Sequence, residues 1–136
     1  MDINYLYLAL GIFAVFMIYG ITTVIRFTRT KKMTTEKRKH FETLLKRISR
    51  GVSSREQIVD MDKLYHKILM ALGYHGTFGE ILKMEPNEIS NINTVWEIHK
   101  LRNNIVHDFD NHDEKYLRNK AISYKKEIER LLQNTK

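Results

Sequence analysis

The apolar positions of this chain follow two patterns. From Tyr5 to Ile25 the run YLYLALGIFAVFMIYGITTVI has no charged residue. At about 1.5 Å per residue, a helix of that length reaches across the roughly 30 Å hydrocarbon core of a bilayer. The run therefore predicts a single transmembrane helix over about residues 5–27, within an anchor spanning 1–27. A cleaved signal peptide or a buried core helix would also be apolar. However, the chain opens Met-Asp-Ile-Asn, lacks a basic start, and passes directly from the apolar run into Arg26, which reads as an uncleaved anchor.

Beyond a basic juxtamembrane linker, 28–34, the pattern becomes amphipathic. Phe41, Leu44, Leu45 and Ile48 recur at helical spacing until Gly51. Ser54 with Gln57 resembles a capping box, followed by Ile58, Met61, Leu64, Tyr65, Ile68, Leu69 and Leu72 as one broad face ending at Gly73. Thr77 and Glu80 suggest another cap, and Pro86 closes the short run FGEILKM. A third long helix carries Ile92, Val95, Ile98, Leu101 and Ile105 and ends in the polar cluster DFDNHD. Asn111 with Glu114 offers a final cap before the seam Leu117, Ala121, Tyr124, Ile128 and Leu131, which predicts intramolecular packing. No cytoplasmic segment alternates with period two. The expected fold is all-α: an N-terminal transmembrane helix followed over 35–134 by an up-and-down bundle of four long helices and one short one.

Charge orients this arrangement. Arg26, Arg29, Lys31, Lys32, Lys37, Arg38 and Lys39 crowd the C-terminal flank of the apolar run, against Asp2 on the other side. The positive-inside rule then predicts an N-terminus outside and a cytoplasmic C-terminal domain. Tyr5, Tyr7 and Phe27 fall near the expected water interfaces. The absence of cysteine fits a reducing compartment. The net charge of +7 is not spread evenly: residues 26–50 hold ten Lys/Arg against Glu36 and Glu42, whereas residues 51–136 hold thirteen of each sign. The basic segment suits an anionic lipid surface, though a phosphate backbone can use the same charges. The neutral remainder argues against strong nonspecific nucleic-acid binding.

The candidate chemistry lies in LRNNIVHDFD, residues 101–110, where Arg102, Asn103 and His107 interrupt an apolar helix. Arg102 and His107 are five residues apart, about 140° around a straight helix, so they converge only if the arginine reaches around or the helix bends. Ordinary structural roles exist for both: Arg102 capping carbonyls or pairing with an acid such as Asp108, and His107 as a cation at a helix C-terminus. His99, His107, His112, Asp108, Asp110 and Asp113 are numerous, but they have neither His-Glu-x-x-His nor EF-hand spacing, so no metal and no cofactor is expected. His66 reads as a solvated edge residue, and Trp96 as packing in the core or at an interface.

RNNIVH in an apolar helix of a small α-bundle resembles the signature of the HEPN family, an Arg followed after four to six residues by His, with Asn common after the Arg. The resemblance covers roughly residues 35–134. It implies a bundle that dimerises so that two motifs face one cleft, and many such proteins are metal-independent ribonucleases of toxin, antiphage and RNA-processing systems. Carried over by residue, Arg102 would bind the scissile phosphate, His107 would move the proton on the ribose 2′-hydroxyl or the leaving oxygen, and Asn103 would support them. Imidazole titrates near neutrality and a guanidinium offers a planar fork to phosphate, so the residue types suit the task. Some HEPN toxins carry a tyrosine two residues after the histidine that a partner nucleotidyltransferase modifies with AMP. Here that position is Phe109, Tyr116 is out of register, and this route of silencing is not expected.

The resemblance thus implies a homodimeric, membrane-anchored ribonuclease, toxin or antiphage-defence effector with RNA as substrate and an antitoxin or regulatory partner. Two alternatives stay open: a non-catalytic HEPN-like module that binds nucleotides or partners, and a membrane-active effector in which the apolar helix does the damage.

Overall fold

Each apolar stripe of the sequence becomes a helix in the computed structural model, which describes residues 3–28, 30–51, 53–107 and 112–136, with the backbone alone at 3, 4, 6 and 26–28. In chain order these are α1 (Ile3–Thr28), α2 (Thr35–Ile48), α3 (Ser54–Ala71), α4 (Phe78–Lys83), α5 (Ile92–His107) and α6 (Glu114–Asn134). Among the described residues there is no strand.

Helix α1 buries nothing. Over Tyr7–Ile25 its mean hydropathy is 2.3 and none of it is covered by the rest of the chain, so it is not a core helix, and it is long and apolar enough to cross a membrane. The hydroxyls of Thr22 and Thr23 fold back onto the Tyr19 carbonyl at 3.0 and 2.8 Å. That spares the helix two unpaired polar groups on an otherwise apolar surface.

The bundle is organised around α3, which packs on α2, α5 and α6. Its Ile58, Met61, Tyr65, Ile68 and Leu69 are almost wholly buried, and they meet Val95, Ile98 and Leu101 of α5 and Tyr124, Ile128 and Leu131 of α6. The rings of Tyr65 and Tyr124 stack with centroids 5.7 Å apart. Every position of the seam from Leu117 to Leu131 faces this core, so the seam is spent inside the bundle. Burial removes Tyr65 from water and pushes its hydroxyl far above the ordinary range, with the charge of Glu127 adding to the shift.

Helix ends follow local chemistry, with two corrections to the expected caps. The N-cap of α3 is Ser53, whose hydroxyl accepts from Glu56 N–H, one residue earlier than expected. Ser54 is already helical and donates to Glu114 of α6 at 2.6 Å, and the Gln57 amide donates to the Gly51 carbonyl instead of closing a box. At α6 the capping side chain is that of Asp113, and Asn111 lies outside the described residues. Thr77 and Glu80 do form the capping box of α4, and the donors of Thr77 hold the Glu80 carboxylate below its usual range. Helix α3 ends in a Schellman motif, with Gly73 at φ +88 and Tyr74 N–H reaching back to the Leu69 carbonyl at 3.1 Å.

The segment between α1 and α2 is docked onto the bundle. Lys31 N–H donates to the carboxylate of Glu88, which is wholly buried and also accepts from the Tyr74 hydroxyl at 2.8 Å. The Lys31 ammonium lies 3.4 Å from the centroid of the Tyr74 ring. Met33 is buried, and its N–H donates to the Thr135 carbonyl at 2.9 Å. Burial, the hydrogen bond to Glu88 and the charge of Glu88, in that order, raise the Tyr74 hydroxyl well above its ordinary range.

The assignment of faces has a direct stability consequence. Ile98, fully buried on α5, and Ile122, about half exposed on α6, should respond differently to truncation in urea unfolding of the chain in detergent micelles. Ile98→Ala should cost about 2–5 kcal/mol and Ile122→Ala less than about 0.5 kcal/mol. Equal costs would refute the packing.

Candidate functional site

Helix α5 turns Val95, Ile98, Leu101 and Ile105 into the core. His99 and Arg102, three residues apart and thus about 60° from each other around the helix, flank that stripe on one side. Opposite them, α3 places Asp62 beside Met61 and Tyr65, with only 6% of its side chain exposed.

An isolated carboxylate at such a position would cost several kcal/mol. Here it is surrounded. His99 Nδ1 lies 3.0 Å from Oδ1 and 3.2 Å from Oδ2, and the Tyr124 hydroxyl donates to Oδ1 at 2.9 Å. Arg102 Nε stands 3.6 Å from Oδ2, close enough for charge attraction but beyond hydrogen-bond reach. One of the guanidinium's terminal nitrogens donates to Asn103 Oδ1 at 2.9 Å. Complete burial is the first cause of the strong upward shift of the Tyr124 hydroxyl; the negative charge and hydrogen bond of Asp62 follow, and Arg102 opposes them.

The imidazole of His99 is held on its other sides by aromatic rings. Phe78 meets it edge-on at 4.8 Å between centroids, and Trp96 at 6.1 Å. Trp96 is half-buried against the core. His66 lies behind, half-buried at the edge of the bundle, stacked on Phe78 and 3.0 Å from the Gly76 carbonyl.

The predicted residues therefore divide. Arg102 and Asn103 come together, with Arg102 paired to an acid as its ordinary reading expected; the acid is Asp62 of α3, while Asp108 lies outside the described residues. The cap on α5 is supplied by Arg55, which donates to the Ile105 carbonyl at 3.4 Å. His107 is the last residue of α5 and is exposed. Among the described residues no hydrogen bond or ion pair joins it to Arg102, and Phe109 lies outside them. Of the basic flank, Lys32, Lys37 and Lys39 are exposed, Lys31 is engaged with Tyr74, and Arg38 pairs with Glu42 at 3.5 Å. The side chains of Arg26 and Arg29 lie outside the described part. Among the described residues no three His, Asp or Glu side chains converge as a metal site would require.

Asp62 and Tyr124 were not expected as site residues, and His99 appeared only among loose metal candidates. One signal was available: Asp62 falls within the apolar face of α3, and an acid at a core position requires donors. A cleft of about 550 Å³, lined by Ser54, Gln57, Glu114, Arg118 and Lys125 among others, includes none of Asp62, His99 or Arg102. Cavity and buried charge do not coincide, and the buried charge is the more specific feature. No family model, no curated protein and no solved structure matches this chain.

Tyr124 makes the network testable by pH. Its hydroxyl resists ionisation in the fold, whereas in the unfolded chain it ionises near pH 10. Its contribution is complete below about pH 10 and falls as pH rises further, by about 1.4 kcal/mol per pH unit. Tyr124→Phe should lower stability at pH 7 by about 1–3 kcal/mol and remove one such increment from the alkaline slope, as read by denaturant titrations between pH 7 and 11. An unchanged slope would place Tyr124 outside the core network.

Proposed function

We propose that this chain is a membrane-anchored HEPN-like ribonuclease of the toxin or antiphage-defence kind, with α1 in the bilayer and the bundle on the cytoplasmic side. The observation that carries the reading is Arg102: a guanidinium one quarter exposed, steadied by Asp62 and Asn103 on an otherwise apolar helix. Its geometry is fixed from behind, leaving donors for a phosphodiester in front.

The chemistry follows from those groups. RNA brings its own nucleophile in the ribose 2′-hydroxyl, so the protein has to supply a cation for the developing phosphorane charge and a group to move protons. Arg102 serves the first need and His107 the second. Because His107 points from the exposed end of α5, next to the half-exposed Val106, the site is completed across a homodimer in which the α5 ends meet. An antitoxin or regulatory partner would act by covering that end.

The ion pair to Asp62 favours a second reading, in which part of the charge of Arg102 is already neutralised and the bundle binds nucleotides or partners without cutting. Incubation of the chain in detergent micelles with single-stranded RNA and EDTA separates the two. Cleavage should occur, and Arg102→Ala should slow it about 10²–10³-fold; intact RNA, or cleavage indifferent to Arg102→Ala, leaves the binding reading.

Anchoring has its own test, since the sequence has no native cysteine. In intact cells a membrane-impermeant maleimide should label Asp2→Cys and spare Gln133→Cys. The reverse pattern would invert the topology, and labelling of neither in a washed membrane fraction would argue against insertion.

A further inference from the structure

Helix α5 carries a second histidine, and it is the one that shares a carboxylate with Arg102. His99 precedes Arg102 by three residues, about 4.5 Å along the axis, whereas His107 lies eight residues beyond His99, about 12 Å away. Asp62 bridges the nearer pair, with one oxygen 3.0 Å from His99 Nδ1 and the other 3.6 Å from Arg102 Nε.

This contact fixes the tautomer. A carboxylate that already accepts from Tyr124 and faces a guanidinium has no proton to give, so Nδ1 of His99 must be the donor. In the neutral ring Nε2 then holds the free lone pair. It has no hydrogen-bond partner among the described residues, although the side chain is 13% exposed. Nε2 faces Gly79 at the start of α4, where a Cβ would stand 4.0 Å from it and 3.7 Å from the Trp96 ring. Those are ordinary van der Waals distances, so the bare glycine lets α4 sit beside the nitrogen without covering it further, and the half-buried indole at its side offers a face on which a base can stack.

We propose that His99 is a catalytic residue of this site, the base that takes the proton from the ribose 2′-hydroxyl while the adjacent phosphate rests on Arg102. The assignment rests on the ribonuclease reading and deepens it. Nε2 accepts the proton, the 2′ oxygen bonds to phosphorus, and the bond from phosphorus to the 5′ oxygen breaks. The departing oxygen takes a proton from His107, which keeps the leaving-oxygen half of the proton transfer and regains its proton from solvent, and the His99 imidazolium returns its own to solvent. The products are a 2′,3′-cyclic phosphate and a 5′-hydroxyl end. Asp62 stays ionised, acting as the positioning residue that holds the ring and balances its transient charge, as a buried carboxylate behind an imidazole does elsewhere.

The experiment measures kcat/KM on single-stranded RNA between pH 5 and 9 with the full chain in detergent micelles, and identifies the ends formed. His99→Asn keeps an amide donor where Nδ1 stood and removes Nε2. It should lower kcat/KM at least about 100-fold and abolish the acid limb of the profile, while His40→Asn, on the exposed face of α2, leaves both unchanged. The groups facing the ring are Asp62 from α3, Tyr124 from α6 and Arg102 on α5 itself; of these, Asp62→Asn should weaken and shift the acid limb. Gly79→Leu, which crowds Nε2 and leaves the contact of His99 with Asp62 in place, should also lower kcat/KM, and it carries the test if His99→Asn does not fold. Wild-type cleavage that persists in His99→Asn with its acid limb intact, or in Gly79→Leu at full rate, overturns the assignment and leaves the ribonuclease reading standing. Absence of cleavage by the wild-type chain overturns the ribonuclease reading itself, and the assignment with it.

Discussion

A carboxylate with only 6% of its side chain in contact with solvent cannot stand alone in a helical core. The demands of Asp62 are met from two further helices, by His99 and Arg102 on α5 and by Tyr124 on α6. Apolar stripes can slide or rotate against one another at modest cost, because dispersion and burial are nearly indifferent to direction. A buried acid with directional donors is not indifferent. It sets one rotation of α5 against α3, and with it the side of α5 on which Arg102 emerges. Tyr65, stacked on Tyr124, extends the same constraint into the apolar centre.

A second buried acid does the corresponding work at the end facing α1. Glu88 takes the N–H of Lys31 and the hydroxyl of Tyr74, while the Asn134 amide donates to its backbone carbonyl at 2.8 Å. The segment between α1 and α2, the loop before α5 and the end of α6 thus converge on one residue. Helix α1 ends at Thr28 and Lys31 is already docked, so at most about 10 Å of chain separates the apolar helix from the bundle. The segment 28–34, expected as a linker, holds the bundle close to the end of α1.

The fold was legible because its helices are bounded by strong local chemistry. Gly73 ends α3 in a left-handed turn, Thr77 and Glu80 start α4, and the spacing of Leu117 to Leu131 marks the buried side of α6. Near Ser54 the local signals competed: two serines stand side by side, and only the pull of Glu114 on Ser54, sixty residues away, leaves the cap to Ser53. The site was half legible for the same reason. Arg102 and Asn103 are adjacent and announce themselves, while the partner of Arg102 lies forty residues earlier on another helix. Periodicity along α5 shows which residues share a face, but it carries no information about which acid of α3 waits opposite.

The distribution of charge constrains how any polyanion could reach Arg102. The bundle beyond residue 50 is neutral overall, and Asp62 offsets the guanidinium at short range, so the site projects little field of its own. The excess cations sit in residues 26–50, with Lys32, Lys37 and Lys39 exposed. If α1 is in a bilayer, the docked segment after it keeps Lys32 near anionic headgroups, within reach of their potential. Headgroups would then occupy the charges that a polyanion would need. Recognition at Arg102 therefore has to rely on contact-range groups, namely the free donors of the guanidinium and the aromatic flank of Trp96, and not on long-range attraction.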